Sequence, residues 1–215
     1  MKGFCRMKLH ETDDLGETRR TIIKTAHNLF MESGYRAVST RQIADACGLT
    51  QPALYHHFKN KETLYIKVIL NEIHKTKTGL ERIIKRHKDL KERLVEVAYF
   101  ILINKPEDMS QMFRDIQQEL SEDARKLISD SWFNGFIIPI SEIFAKGLEA
   151  GELRSPGEFG TDPVNSAFLL LNLLSHSPFE ARNAAPQDQK KVYEKHVNMI
   201  VNVLLYGLSP NQEKI

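Results

Sequence analysis

The sequence predicts an all-α protein of about nine helices, in which an N-terminal three-helix helix-turn-helix domain precedes a larger C-terminal helical bundle. Three observations support this fold class. Apolar residues recur at helical spacing along most of the 215 residues, capping residues precede many of these stretches, and no segment alternates apolar and polar residues as a half-buried strand does. We expect a flexible N-terminal arm over residues 1–16, the helix-turn-helix domain over residues 17–62 and the bundle over residues 63–215.

The first helix is predicted between Thr18 and Ser33, and Gly34 follows as a residue that commonly ends helices. The apolar residues of this stretch form one helical stripe: Ile22, Ile23, Ala26, Leu29 and Phe30. The residues before this helix contain no apolar segment like that of a signal peptide, so we expect a short arm and a cytoplasmic protein.

Two short helices joined by a tight turn are predicted between Ser39 and Phe58. Ser39 and Gln42 form a Ser-x-x-Gln capping box at the start of the first of them. Gly48 supplies a turn residue that takes a positive φ at little cost, and Leu49 directs the turn into the core.

The second of these short helices begins near Thr50 or Gln51, because either side chain can cap it and Pro52 suits its first turn. Leu54 and Phe58 are four residues apart and form its buried face. The residues left on the outward face are Gln51, Pro52, Ala53, Tyr55 and His56. This arrangement is typical of a helix-turn-helix that places its second helix in the DNA major groove.

Three further helices are predicted after this motif. Asn60 caps a long fourth helix, whose apolar residues keep the helical period although Gly79 weakens its middle. Asp89 and Glu92 form a capping box for a fifth helix, and a short sixth helix is predicted over about residues 106–118.

A seventh helix is predicted from Glu122 to about Glu149, with Ser121 as its cap. It contains Pro139, whose ring would clash with the carbonyl oxygen of Gly135 four residues earlier. We therefore expect a kink between these two residues.

The last two predicted helices are strongly apolar. The eighth begins at Asp162-Pro163 and is apolar nearly all round, and the ninth ends at Gly207. Such helices can be buried by pairing with the same two helices of a second subunit, although an internal core position is the alternative. The residues predicted at this dimer interface are Phe168, Leu171, Leu174, Met199, Val203 and Tyr206.

Many spaced residues between Thr18 and Tyr65 form a combined pattern. They are Ala26, Leu29, Phe30, Gly34, Tyr35, Thr40, Ala44, Gly48, Leu49, Thr50, Leu54, Tyr55, His57, Phe58, Asn60, Lys61, Glu62 and Leu64. This segment, slightly under a quarter of the chain, resembles the DNA-binding domain of the TetR family of bacterial transcription regulators. The resemblance implies a homodimeric, ligand-responsive repressor that binds a palindromic double-stranded DNA operator and a small-molecule effector. It names no effector. Activation of transcription stays open because the operator position decides it, and a regulator of this type without a small-molecule effector is a further alternative.

Nine residues are predicted to contact DNA. Four of them lie at or beside helix starts, where side chains and free N–H groups hold phosphates: Thr40, Arg41, Thr50 and Lys61. Gln51 is the best candidate for reading a base, because an amide bonds adenine through two hydrogen bonds. Pro52 and Ala53 can touch a thymine methyl group, and the resemblance puts Tyr55 and His56 on the backbone or on base edges.

Aromatic, methionine and amide side chains are concentrated in the fifth to seventh helices, and such a set suits an adaptable apolar ligand pocket. For any single residue a plain core position is an equal alternative, and the resemblance favours a pocket for the set as a whole. The predicted pocket residues are Phe100, Met109, Met112, Phe113, Gln117, Trp132, Phe133 and Phe136. Arg114 and Asp115 are candidate charged anchors for a ligand, with a helix-surface position as the alternative.

Other functions are disfavoured by the same residues. Adjacent helical residues such as His56 and His57 point about 100° apart and cannot chelate one ion, so we expect no metal site. No catalytic motif is present, so we expect no enzyme and no cofactor, and no apolar run is long enough to span a membrane. A helical protein–protein interaction module is the alternative function, because the net charge of +2 does not by itself indicate nucleic-acid binding.

Overall fold

The computed structural model describes residues 4–87, 89–104, 109–157, 161–175 and 185–207. All regular secondary structure in these residues is helical, which confirms the predicted all-α class. The helices are α1 (Phe4–Ala37), α2 (Thr40–Ala46), α3 (Gln51–His57), α4 (Lys61–Arg86), α5 (Leu90–Asn104), α6 (Met109–Glu119), α7 (Glu122–Trp132), a π-helical segment (Phe133–Ile137), α8 (Ile138–Glu149), α9 (Pro163–Leu173) and α10 (Pro186–Tyr206). None of these described helices combines the length and the apolar character needed to cross a bilayer.

The chain forms two compact units. The first unit comprises Met1–Glu72 and Glu107–Ser129, and the second comprises Ile73–Pro106 and Asp130–Ile215. α6 and the larger part of α7 therefore belong to the same unit as α1, α2 and α3. The predicted functional boundary between residues 62 and 63 stays a prediction.

The first unit is built on the apolar stripe of α1. Its buried side chains include Ile22, Ala26, Phe30, Ile43, Ala44, Leu54, Phe58, Leu64 and Tyr65. These positions confirm both the stripe predicted for the first helix and the buried face predicted for α3. Regular helix is interrupted at Gly34, with φ 79° and ψ 165°, which is where the sequence predicts the stop.

α1 begins earlier than predicted, at Phe4 rather than near Thr18. The intervening residues include leucine, methionine, lysine, glutamate and arginine, which all have high helix propensity, and no proline interrupts them. The flexibility predicted for residues 1–16 stays a prediction.

The core of the second unit combines side chains from five helices. Its fully buried members include Leu80 of α4, Leu94 and Val97 of α5, Ile140 and Ile143 of α8, Leu170 of α9 and Val197 of α10. Gly79 allows a close approach between α4 and α5, because a Cβ atom added there would lie 2.2 Å from Cζ of Phe100. The glycine that the helical pattern marks as a weak point is therefore a packing requirement.

The distortion predicted between Gly135 and Pro139 takes the form of the π-helical segment. The N–H of Ile138 donates to the carbonyl of Phe133, five residues earlier, and α8 then starts with Pro139 in its first turn. Proline has no N–H to donate, and the wider π turn is a known way to accommodate such an interruption within a continuous helix. The predicted seventh helix is thus α7, the π-helical segment and α8 in succession.

Candidate nucleic-acid interface

The helix-turn-helix is fixed by local capping bonds, as the sequence predicts. The Ser39 N–H donates to Oε1 of Gln42 at 2.7 Å, and the Gln42 N–H donates to Oγ of Ser39 at 3.1 Å. This reciprocal pair is the capping box at the start of α2. Gly48 has a φ of 67°, so the glycine predicted for the turn does occupy the left-handed region.

The start of α3 resolves which residue caps it. Oγ1 of Thr50 accepts from the Ala53 N–H at 3.3 Å, and Pro52 lies in the first turn. Thr50, rather than Gln51, is therefore the cap, which leaves the Gln51 side chain available for other contacts. Leu54 is 1% exposed and anchors the opposite face of α3 in the core.

Thr40 connects the two helices on their exposed side. Its Oγ1 accepts from Nε2 of Gln51 at 3.0 Å and lies 3.2 Å from the hydroxyl of Tyr55. Gln51 is exposed and Tyr55 is 44% exposed, so both side chains remain accessible while Thr40 orients them. This is a pre-arranged set of donors and acceptors on the face that is predicted to meet DNA.

The two predicted basic contacts differ in their surroundings. The Arg41 side chain is 81% exposed, and its Nε is 4.0 Å from Oδ2 of Asp45, one turn along the same helix. Nζ of Lys61 lies 4.2 Å from the centroid of the Tyr35 ring, a cation–π contact. Burial lowers the pKa of Lys61, and the nearby carboxylates of Glu119 and Asp115 oppose that shift.

The remaining predicted DNA contacts lie on the same short helix. Pro52 and His56 are exposed and Ala53 is half-buried. The rings of His56 and His57 meet edge to face with centroids 5.8 Å apart, and His57 is half-buried. The structure thus groups the residues predicted on α3 with Thr40 and Arg41 of α2, and their contact with DNA stays a prediction.

The predicted pocket residues are divided between the two units. In the second unit, the ring centroids of Trp132 and Phe136 are 5.7 Å apart, and the centroid of Phe168 lies 6.2 Å from that of Trp132 and 6.4 Å from that of Phe133. Phe100 packs on Gly79.

The other predicted pocket residues belong to α6 in the first unit. There Met112 is half-buried, whereas Phe113 and Gln117 are exposed. The side chain of Met109 lies outside the described residues.

An open cavity of about 570 Å³ is present in the second unit, beside α9. Its lining includes Phe168, Leu169 and Asn172 of α9, together with Pro156 and Thr161 from the residues that precede this helix. Among the residues whose side chains are described, no predicted pocket residue lines it, and of the predicted interface residues only Phe168 does.

One feature of the first unit is not predicted from the sequence: α6 packs against the end of α1. Asp115 is 4% exposed, and its Oδ2 accepts from the Tyr35 N–H at 2.8 Å. Oε1 of Glu119 pairs with Nε of Arg36 at 2.8 Å. Asp115 is therefore a buried acceptor, neither a helix-surface residue nor an open anchor. Because its partner Tyr35 lies 80 residues away, no local sequence pattern predicts this hydrogen bond.

Comparison with known proteins bears on this geometry. Residues 22–68 match the family model described as bacterial regulatory proteins, tetR family. The HTH-type transcriptional activator FasR of Mycolicibacterium smegmatis is 31% identical over 78 residues, which are 36% of this chain and 36% of that protein. The chain thus spans about a third of the length of that relative.

Two solved structures resemble the fold of nearly the whole chain. One is the transcriptional regulator FadR from Bacillus subtilis in complex with stearoyl-CoA, with a TM-score of 0.68 and 21% identity, covering 88% of this chain and 99% of that one. The other is AibR in complex with isovaleryl coenzyme A and operator DNA, with a TM-score of 0.64 and 21% identity, covering 87% of this chain and 98% of that one. Residues 22–68 therefore form a segment that matches the tetR family of bacterial regulatory proteins, and nearly the whole chain shares the fold of these two solved structures.

Proposed function

We propose that the chain is a homodimeric, sequence-specific DNA-binding regulator of transcription, and that it acts as a repressor released from its operator by a small apolar or amphipathic ligand. The exposed face of α2 and α3 carries the DNA-binding part of this proposal. There Thr40 orients Gln51 and Tyr55, while caps and a buried leucine fix the two helices beneath them. Such a face offers base-reading and phosphate-holding groups at small entropic cost.

Selection of binding sites from a random duplex library tests this proposal directly. We expect recovery of a palindromic site with half-sites about 34–36 Å apart, because two recognition helices of a dimer must enter successive major grooves. The logarithm of the affinity for that site should fall linearly with the logarithm of salt concentration, because phosphate-bound counterions are released on binding. A helical protein–protein interaction module, the alternative function, would recover no common sequence.

Gln51→Ala tests the role of the proposed base-reading residue. We expect the variant to lose preference at one or two positions of the half-site, at a cost of roughly 1–3 kcal/mol for the preferred base. The measurement is a competition gel shift with single-base operator variants. An equal loss on every sequence would instead make Gln51 a phosphate contact. Gln118→Ala, an exposed residue of α6, is the control and should leave the preference unchanged.

The dimer part of the proposal rests on apolar side chains of α9 and α10. Met199 is 53% and Tyr206 50% exposed, while Phe168, Leu171 and Val203 are half-buried. Leu174 is 1% exposed within the core of its own unit. A second copy of the chain covering the exposed positions would remove this apolar surface from water.

Met199→Lys tests that interface. We expect sedimentation equilibrium to show a dimer for the unmodified chain and a strong shift toward monomer for the variant, because an ammonium group would be buried without a partner. Gln118→Lys adds the same charge in the first unit and should leave the dimer intact. A dimer of unchanged stability in Met199→Lys would place the interface elsewhere.

The effector part of the proposal draws on the ring cluster of Trp132, Phe136 and Phe168 and on the coenzyme A thioesters bound by FadR and AibR. Long-chain and short-chain acyl-CoA are therefore the first compounds to test. Trp132 is the single tryptophan of the chain, so its fluorescence reports binding at this cluster.

Titration of the protein–operator complex with stearoyl-CoA, isovaleryl-CoA and free coenzyme A separates the possibilities. We expect one of the thioesters, and not free coenzyme A, to change Trp132 fluorescence and to lower operator affinity by linkage. A flat response to all three removes acyl-CoA as the effector class.

A regulator that activates transcription is the second candidate, because the relative FasR carries the name of an activator. A reporter fused to the selected operator, with and without the protein, distinguishes the two. Repression lowers reporter output, and activation raises it.

A further inference from the structure

The end of α1 and one face of α6 form a regular polar contact within the first unit. Gln111, Asp115 and Glu119 are spaced four residues apart, so they lie along one side of α6. They face consecutive residues of α1: the Tyr35 N–H donates to Asp115 at 2.8 Å, and Arg36 pairs with Glu119 at 2.8 Å. We call Gln111, Asp115 and Glu119 the α6 seam.

Asp115 is the buried centre of the α6 seam. Its Oδ1 accepts from Nε2 of Gln111 at 2.8 Å, and its Oδ2 accepts from the Tyr35 N–H and, at 3.4 Å, from the Tyr65 hydroxyl. Burial and the proximity of Asp115 raise the pKa of Tyr65, which keeps its hydroxyl a donor. A buried carboxylate is costly unless such donors surround it, so this arrangement stabilises one particular position of the Tyr35 backbone.

The position of the Tyr35 backbone affects the helix-turn-helix, because Tyr35 lies shortly before it in the chain. Gly34 interrupts α1, and the next N–H along the chain is the one bound by Asp115. Ser39, which caps α2, and Thr40, which orients Gln51, follow within five residues of Tyr35. A shift of the Tyr35 backbone would therefore move the start of α2.

We propose that Asp115 is a positioning residue for DNA binding: by accepting from the Tyr35 N–H, it fixes the point from which the chain enters the helix-turn-helix. This inference rests on the proposed DNA-binding function. The positioning role predicts that removal of Asp115 weakens DNA binding. Simple electrostatics predicts the opposite, because a carboxylate in the unit proposed to meet DNA repels phosphates and its removal makes the protein more positive.

The test compares Asp115→Ala with Asp115→Asn in the full chain. The asparagine keeps an oxygen that can accept from the Tyr35 N–H, and the Gln111 amide can reverse to meet the new NH₂ group, which gives up only its exposed bond with Arg114. The alanine leaves the Tyr35 N–H without its acceptor. We expect affinity for the selected operator to fall about tenfold for Asp115→Ala and to change less than about twofold for Asp115→Asn. Gln118→Ala is the control on the same helix.

A second measurement does not depend on DNA. Amide hydrogen exchange of Tyr35, followed by nuclear magnetic resonance, should be faster by at least about tenfold in Asp115→Ala and close to unmodified in Asp115→Asn. Glu119→Gln is a further variant. It removes a charge from the α6 seam at a residue that is half-buried, whereas Asp115 is buried. We expect it to weaken operator binding two- to threefold, again against the sign of the charge change.

The outcomes are distinct. Folded Asp115→Ala with unchanged operator affinity and unchanged Tyr35 exchange overturns the positioning role, and so does Asp115→Asn that fails as badly as alanine. If Asp115→Ala does not fold, Asp115→Asn and Glu119→Gln decide. If the unmodified protein selects no DNA sequence, the proposed function fails, while Tyr35 exchange still reports whether Asp115 fixes the entry to α2.

Discussion

The helix-turn-helix and the core of the second unit are stabilised over very different distances along the chain. In the helix-turn-helix, the bonds that define both helices join residues three apart, at Ser39 with Gln42 and at Thr50 with Ala53. In the second unit, buried side chains of α4, α5, α8, α9 and α10 meet across more than a hundred residues. The helix ends of the first region are encoded locally, whereas the core of the second unit depends on tertiary packing.

This difference explains where function can be read from sequence. A surface fixed by short-range capping leaves a spaced pattern of polar and apolar residues, and the family match over residues 22–68 coincides with it. Apolar packing among several helices tolerates many combinations of side chains with the right total volume. The proposed ligand site, if it is built from such packing, is therefore marked in the sequence by amino-acid composition and not by a motif.

The largest expected effects come from one core truncation in each region. Leu54→Ala removes a side chain that is 1% exposed and lies beneath the exposed face of α2 and α3, which we call the recognition face. Ile140→Ala removes one that is fully buried in the second unit. Each should lower the free energy of unfolding by about 2–5 kcal/mol, measured by urea denaturation. Only Leu54→Ala should also weaken operator binding under conditions where the variant is folded.

One outcome would contradict the expected difference between the two truncations. If Ile140→Ala reduces operator affinity as much as Leu54→Ala does at equal folded fraction, the recognition face is not locally determined. Circular dichroism on the same samples establishes the folded fraction.

Gly79→Ala separates local propensity from tertiary packing. On propensity alone, alanine in the middle of α4 would stabilise the helix by about 1 kcal/mol. The added Cβ would, however, lie 2.2 Å from the Phe100 ring, so the ring must move and the core must repack. We expect net destabilisation of about 1–2 kcal/mol in urea denaturation.

Gly16→Ala is the matched control in α1. The nearest atom to a Cβ there is a guanidinium nitrogen of Arg20 at 3.9 Å, which is an ordinary contact. This change should stabilise the protein slightly. Stabilisation by Gly79→Ala as well would mean that the α4–α5 contact adjusts without cost.

The same contrast describes what the sequence predicts about the fold. The capping box at Ser39, the positive φ at Gly48 and the interruption at Gly34 follow from local chemistry and are confirmed. The distortion near Pro139 is also predicted, because a missing N–H is a local property. Its form as a π turn depends on the backbone path and does not follow from the proline alone.

The sequence does not reveal the role of Asp115. An aspartate flanked by arginine and isoleucine on a helix is usually a surface residue, and only the fold brings it to the Tyr35 N–H. The link between Thr40 and Gln51 across the turn is a smaller case of the same kind, at a separation of 11 residues. Side-chain contacts between elements need the packed structure, whereas caps within an element do not.

Thr40→Val tests whether that link between α2 and α3 contributes to DNA recognition. Valine has nearly the same shape as threonine but cannot accept from Gln51 or bond Tyr55. We expect a loss of about 0.5–1.5 kcal/mol in operator binding and weaker discrimination at the base assigned to Gln51, measured by competition gel shift. Thr40→Ser retains the hydroxyl and should preserve the discrimination. Full discrimination in Thr40→Val would show that Gln51 needs no orientation by Thr40.

The smallest expected effect concerns Glu62 in the first turn of α4. Its Oε1 accepts from the Ser121 N–H at 2.8 Å, and this bond holds the pKa of Glu62 below its ordinary value. A carboxyl whose folded-state pKa is lowered stabilises the fold above its unfolded pKa, and that contribution is lost as the pH falls through the folded value. Glu62→Gln should therefore reduce stability at pH 7 by less than about 1 kcal/mol.

The pH dependence distinguishes this bond from a general effect of charge. The stability difference between the unmodified chain and Glu62→Gln should shrink as the pH falls below about 4.5, where the carboxyl begins to protonate in the unfolded state. Glu17→Gln makes the same charge change at an exposed position of α1 and should show no comparable trend. Since Glu62 bonds to Ser121, 59 residues away, a pH-dependent difference would show that its carboxylate stabilises the start of α4 in addition to the Asn60 cap. A difference that is constant from pH 7 to pH 3 would show that the ionised Glu62 carboxylate does not stabilise the start of α4, which the Asn60 cap would then define.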